Sequence, residues 1–327
     1  MRVLVTGSAG HLVEALARKL RELDRDVVGL DVLQSPFTTH AGSIVDRALV
    51  RRCLRGVKIV FHPATLHKPH VVTHSAQDFV DTNITGTLNL LDESVASGVE
   101  AFIFTSTTSV FGDSMIPADG AKAVWVTEDV PPAPKNIYGV TKAAAEELCR
   151  LFHRNFGLPC LVLRTSRFFP EDDDDREMRA AYSPDNLKAN EFLFRRVDIE
   201  DAVSAHLAAA ERAREIGFRR YIISATTPFR MEDLEDLRFD APAVVARRVP
   251  GYESEYQRRD WKMLPGIDRV YVNRRAREEL GWRPRFDFPH LIARLSRGQD
   301  LSSPLARLVG SKGYHAESFA EGPYPVE

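Results

Sequence analysis

Short apolar runs recur along the first half of the chain, separated by segments whose apolar residues fall at helical spacing. RVLVT (2–6), DVVGLD (26–31), VKIVFH (57–62), AFIFTS (101–106) and PCLVLRT (159–165) read as strands. Between the first two, HLVEALARKLREL (11–23) places Leu12, Ala15, Leu16, Leu20 and Leu23 on one helical face. FVDTNITGTLNLLDESVASG (79–98) predicts a long helix stopped at Gly98, and NIYGVTKAAAEELC (136–149) opens another. Residues 195–213 predict a strand leading into a helix, and RRYIISA (219–225) one more strand. Strands alternating with helices predict an α/β fold, a doubly wound parallel sheet covered on both faces.

The pattern loosens after Arg164. PEDDDDREMRAAYSPDN (170–186) is acidic and turn-rich, and Asp172–Asp175 reads as a solvated loop, because like charges rarely pack. We expect residues 1–166 to form a nucleotide-binding domain, which 195–226 rejoin. Residues 167–194 and 227–327 then make a small, discontinuous lobe for substrate.

Composition narrows the class without changing this picture. The 327 residues are 44% apolar and 28% charged, as in a globular protein, and the formal charge of −2 gives no general attraction to nucleic acid or anionic membrane. No apolar stretch approaches the roughly 20 residues that span a bilayer, and MRVLVTGSAG lacks the layout of a secretory signal. Cys53, Cys149 and Cys160 have no metal-type spacing. A soluble, cytoplasmic protein with reduced thiols is expected.

The loop VTGSAGHLV joins the first strand to the first helix. Gly7 and Gly10 permit a tight turn and let the backbone approach a diphosphate at the helix N-terminus, where His11 and Leu12 offer unpaired N–H groups. The third glycine of the full dinucleotide fingerprint is replaced by Val13; that glycine serves helix–strand packing, so the binding logic survives. Asp31 ends the second strand, where a carboxylate accepts hydrogen bonds from an adenosine ribose and repels a 2′-phosphate, favouring NAD over NADP.

Tyr138 and Lys142 stand one helical turn apart on one face. They are either a helix-surface coincidence or a proton-handling pair. The set TGSAGHL, DTNITGTLNLL, FTSTTSVFG, YGVTK and RRVDIEDAVSAH, in this order, resembles the extended short-chain dehydrogenase/reductases, specifically the NAD-dependent nucleotide-sugar epimerases and dehydratases. That resemblance implies a Rossmann-type fold, NAD as cofactor, a sugar nucleotide as substrate and a homodimer packed through helices at about 76–97 and 138–156. It implies Tyr138 as acid and base, Lys142 as the cation that holds the nicotinamide ribose and lowers the phenol pKa, and Thr107 as the hydroxyl oriented on the substrate. Asn83 and Thr105 match positions near the cofactor. Pro63, Ala64 and Thr65 match the loop along the diphosphate, and Ser43 and Ile44 the residues flanking adenine. His67, Thr108 and Arg167 are expected at the substrate.

Two departures matter. Dehydratases of this group follow the catalytic Thr with Asp–Glu, where this chain has Thr108 and Ser109, which favours epimerisation. The family's asparagine and Gly-Pro after the sixth strand are replaced around Arg167, which could still grip an anion. Arg195, Arg196, Arg247 and Arg248 read more naturally as surface arginines than as ligands. His62, His67, His70 and His74 lack a completing Cys or carboxylate, so no metal is expected. Net oxidoreduction of a hydroxyl or carbonyl compound, and an NAD-sensing module without chemistry, remain the alternatives.

Overall fold

The computed structural model describes residues 1–173, 175–313 and Phe319. The first strands and helices are β1 (Arg2–Thr6), α1 (His11–Glu22), β2 (Asp26–Asp31), β3 (His40–Ala41), α2 (Arg47–Cys53) and β4 (Ile59–His62). Next come α3 (Ala76–Phe79), α4 (Gly86–Ala96), β5 (Ala101–Thr107), β6 (Val124–Val126), α5 (Ile137–Phe156) and β7 (Cys160–Thr165). Then follow α6 (Arg176–Ala181), α7 (Pro184–Glu191), α8 (Ile199–Ile216) and β8 (Phe218–Ile223). The chain ends in α9 (Leu234–Phe239), α10 (Ala241–Arg248), α11 (Tyr252–Arg258), β9 (Arg269–Tyr271), α12 (Arg274–Glu279), α13 (Phe288–Leu295) and α14 (Pro304–Val309).

Seven strands form one parallel sheet in the order β3-β2-β1-β4-β5-β7-β8. The direction of strand addition reverses between β1 and β4, so a crevice opens there beyond the strand ends. Strand alternation supplies both faces. Val3 and Val5 point toward α1 and α8, together with Ile103 and Leu163. Leu4, Phe102 and Phe104 point the other way, toward α2, α4 and α5. A third apolar cluster, built from α7, α9, α10, α11 and α13, packs apart from the sheet around Phe192, Phe286 and Phe288. Asp201 on α8 ties this lobe to the sheet by accepting the Arg285 and Phe286 amides at 2.8–3.0 Å. No described helix is long and apolar enough to cross a membrane.

Three expectations need correction. Residues 195–197 form a single parallel bridge, Arg167 to Arg196, before α8, rather than a strand. The expected helix at 79–98 starts earlier, at Ala76, and carries a π turn at Val80–Thr85 between α3 and α4. The acidic run is not simply solvated: Asp172 and Asp175 are exposed, but Asp173 is buried and paired with Arg167 (2.8 Å) and Arg195 (3.0 Å). Two guanidiniums offset the cost of taking that carboxylate out of water. Asp174 lies outside the described residues, as do 314–318 and 320–327 of the expected lobe. The strands β3, β6 and β9 are too short to leave a periodic signal.

Candidate active site

The crevice begins at the glycine turn. Gly7 has φ +74°, and its amide donates to the Leu30 carbonyl at 2.8 Å. A Cβ there would lie 3.0 Å from the Ala64 Cα, so only glycine fits between the loops after β1 and β4. Gly10 caps α1 without a side-chain hydrogen bond, which leaves the first amides, those of His11 and Leu12, facing the crevice. Asp31 closes β2 beside this turn. Its carboxylate accepts the Ala9 amide at 2.8 Å and the Leu33 amide at 2.9 Å, which fixes a negative charge at the rim. An uncapped helix start, a turn with no room for a side chain and a carboxylate one strand away fit a dinucleotide.

The surrounding loops are fastened by buried polar groups. His62 sits between the Thr6 hydroxyl (2.8 Å) and the Thr87 hydroxyl (2.9 Å), and burial holds its imidazole pKa well below the ordinary value. The Ala64 amide donates to Thr6 at 3.2 Å, setting Pro63–Thr65 against the glycine turn. Asn83 projects from the π turn, a distortion that recurs at functional sites. It accepts from the Leu66 amide and the Thr65 hydroxyl, both at 2.9 Å, and donates to the Leu66 carbonyl and, at 3.0 Å, to Thr141 on α5. Ser43 and Ile44 follow β3. Ile44 packs against Gly86, where a Cβ would come within 2.5 Å of it, and the Ser43 hydroxyl accepts the Val45 amide at 3.1 Å.

Asn136 caps α5 by accepting the Gly139 amide at 3.0 Å, and the first turns of that helix carry Tyr138 and Lys142 into the interior. Tyr138 is 8% exposed and Lys142 1%. The Lys142 ammonium lies 4.0 Å from the centroid of the Phe104 ring, a cation–π contact. At the end of β5 the Thr107 hydroxyl donates to the Ser109 hydroxyl at 3.1 Å and accepts the Ser109 amide at 3.0 Å.

Burial dominates the electrostatics of the pair. Burial raises the Tyr138 pKa to about 12, against a smaller lowering by the Thr107 hydrogen bond, and lowers that of Lys142 to about 7. A low-dielectric site penalises both charged forms. The pair therefore rests as a neutral phenol beside an amine poised near neutral pH.

Thr108 is buried in the 3₁₀ turn directly after β5. Thr105 turns away from α5 and pairs with His206 of α8 at 2.8 Å. The His67 ring lies 6.0 Å from that of Tyr138 and 6.5 Å from Phe169, and burial pushes its pKa down to about 3, so it is neutral. Arg167 stacks on Phe169 at 5.0 Å while paired with Asp173, and it lines a cavity of about 90 Å³ with Glu171, Tyr182, Lys188 and Arg196. Arg196 is buried rather than at the surface, 2.7 Å from Glu191, which also binds Arg195 at 2.8 Å. Arg248 and Arg247 pair with Asp233 and Asp236, both at 2.8 Å. Among the described residues no group of three metal-type side chains gathers.

Two networks escaped the sequence reading. Glu146, one turn beyond Lys142, accepts from Ser106 (2.6 Å), Arg164 (2.8 Å) and Arg220 (2.8 Å), pinning α5 to three strands. Glu171 reaches His11 at 2.9 Å. Their members are far apart in sequence, so no local spacing marks them.

The glycine turn at the switch point of a parallel sheet, with a buried Tyr–Lys pair on a flanking helix, defines a dinucleotide-binding protein of the doubly wound class. The chain belongs to the NAD dependent epimerase/dehydratase family, whose model matches residues 3–223. NAD is thus its cofactor. It is 30% identical over 330 residues to a dTDP-glucose 4,6-dehydratase of Streptomyces antibioticus, covering 90% of this chain and 91% of that one. The low-salt glycan biosynthesis protein Agl12 of Haloferax volcanii is 33% identical over 184 residues, 52% of this chain and 57% of that protein. The chain spans about half the length of several curated relatives that it matches. A UDP-glucose 4-epimerase of Thermotoga maritima superposes with a TM-score of 0.60 at 23% identity, covering 91% of this chain and 99% of that one, which shows a shared fold.

Proposed function

We propose that the protein epimerises a sugar nucleotide through a transient keto sugar. The observation that carries this reading is the burial of Tyr138 and Lys142 one turn apart at the start of α5, the helix that packs on β5, whose last residue is Thr107. NAD, when bound, supplies the acceptor and later the donor of hydride. Tyr138 takes the proton of a sugar hydroxyl and returns it after the intermediate has turned over. Thr107 orients that hydroxyl, and Lys142 supplies the charge that the phenolate needs at the moment it forms. His67 and Thr108 border the sugar, and Arg167 the far end of the site. Thr108 and Ser109 lack the acidic groups that water elimination would require, which supports epimerisation over dehydration.

The buried thiols of Cys53, Cys149 and Cys160 support a reducing, cytoplasmic setting. A half-exposed apolar stripe along α5 supports a homodimer. The division into residues 1–166 with 195–226, and a lobe from 167–194 and 227–327, belongs to the same reading, with substrate held between the two.

The test is turnover on a panel of UDP- and dTDP-sugars, followed by NMR of the sugar stereocentres and by absorbance of NADH. A new epimer without net NADH is expected. Tyr138→Phe should cut kcat by about 10²–10⁴-fold while NAD stays bound. Net NADH formation would replace this reading with a dehydrogenase, and undiminished turnover by Tyr138→Phe would remove the chemistry from the tyrosine.

A further inference from the structure

A residue from each of three distant parts of the chain meets at the first turn of α1. His11 is the first residue of the helix, Glu171 comes from the loop after β7, and Ser311–Gly313 follow α14. Glu171 is buried, and one of its oxygens, Oε1, collects the contacts. His11 Nε2 lies 2.9 Å away, the Ser311 hydroxyl donates at 2.8 Å, and the Lys312 and Gly313 amides each donate at 3.2 Å. Lys312 also pairs through its ammonium with Glu14, one turn along α1.

The Lys312 amide also lies 2.7 Å from His11 Nε2. That nitrogen can present a proton to Glu171 or a lone pair to the amide, not both at once. The Lys312 amide reaches that nitrogen as well as the Glu171 carboxylate, so imidazole, amide and carboxylate meet in one three-way contact. Burial alone would raise the Glu171 pKa; the hydrogen bonds from His11 and Ser311 outweigh it and bring the group to about 2, so the carboxylate stays charged at working pH.

The fold has little need of this junction. Leu305, Ala306 and Val309 of α14 already anchor the chain against α1 and α8. Ser311, Lys312 and Gly313, which follow Gly310, are exposed and carry no apolar side chain. Such a segment belongs to the parts of a protein that open at low cost. It is fastened to a helix start that lacks a side-chain cap and follows β1, at the switch point of the sheet.

We propose that Glu171 is a positioning residue for the dinucleotide: with His11 and Ser311–Gly313 it forms a clasp across the first turn of α1 that controls how fast NAD leaves. This rests on the seating of the diphosphate at that turn. A closed clasp holds His11, and with it the first amides of the helix, in place beside the diphosphate. Opening it frees the turn and lets the dinucleotide escape. A cofactor reduced and reoxidised within one turnover gains from slow release.

The experiment loads the full-length protein with radiolabelled NAD and chases with unlabelled NAD. Glu171→Gln removes the charge that gathers the donors. Lys312→Pro leaves Glu171 in place but removes the amide that reaches it and His11, together with the ion pair to Glu14, and it decides the matter if Glu171→Gln does not fold. Both variants should release NAD about tenfold faster or more than the unaltered chain, as interface changes act mainly on dissociation. Bound NAD that leaves the variants at the unaltered rate would overturn the clasp alone. Failure of the unaltered chain to bind NAD would overturn the seat at α1 and the clasp together.

Discussion

At the scale of residues, burial governs the Tyr138–Lys142 pair. It raises the phenol to about 12 and brings Lys142 down to about 7. The lysine therefore has a stability signature. Between its folded pKa near 7 and its unfolded value of 10.5, the unfolded chain binds the extra proton. Stability from this group thus rises with pH through that window; below it, the fold bears the cost of a buried cation. Lys142→Met should flatten the rise in urea midpoint that the unaltered chain shows from about pH 6 to about pH 9. Identical slopes for the two proteins would show that the lysine is not desolvated. Gly7, Asp31, Tyr138 and Lys142 were legible because each acts through local geometry: a turn, a strand end, one helical turn. Glu171 was not, because a run of four aspartates after it reads as solvent-facing. Only the arginines brought from 167 and 195 show that Asp173 is buried.

At the scale of elements, the π turn at Val80–Thr85 does what a regular helix could not. It directs Asn83 toward the loop after β4 and toward α5 together, so one amide side chain satisfies both partners of the Leu66 backbone and holds Thr141. Asn83→Ala leaves the half-buried Leu66 amide, and Thr141 inside the fold, without this side chain. The expected cost is about 1–3 kcal/mol in urea unfolding, the penalty for an unpaired buried group. NAD affinity should fall with it, since Pro63–Thr65 lose their brace. Titration calorimetry of the variant checks the second effect, and an unchanged NAD Kd would detach Asn83 from the cofactor. Periodicity foretold a helix over this stretch because its apolar spacing fits one. It could not foretell the π turn, because one extra residue in a turn leaves composition and polarity almost untouched.

At the scale of the whole molecule, the outer side of α5 is the surface that asks for a partner. Val140 is 47% exposed and Leu151 37%, and the half-buried Ala144 and Leu148 continue the same stripe. Sedimentation should show a dimer for the unaltered chain and a monomer for Leu151→Glu, with the NAD seat intact because the stripe faces away from the crevice. A monomeric unaltered chain would dismiss the homodimer.

The amino-acid sequence by itself determined the alternation of strands and helices, the glycine turn, the acid at the end of β2 and the spacing of Tyr138 and Lys142. All of these depend on interactions within a few residues, where periodicity and steric rules act directly. The tertiary structure alone decided the burial of the Tyr138–Lys142 pair, the burial of Asp173 among arginines and the meeting of His11, Glu171 and Lys312. Each of those depends on the local dielectric or on segments up to 301 positions apart, and only folding brings such groups together and removes water from around them.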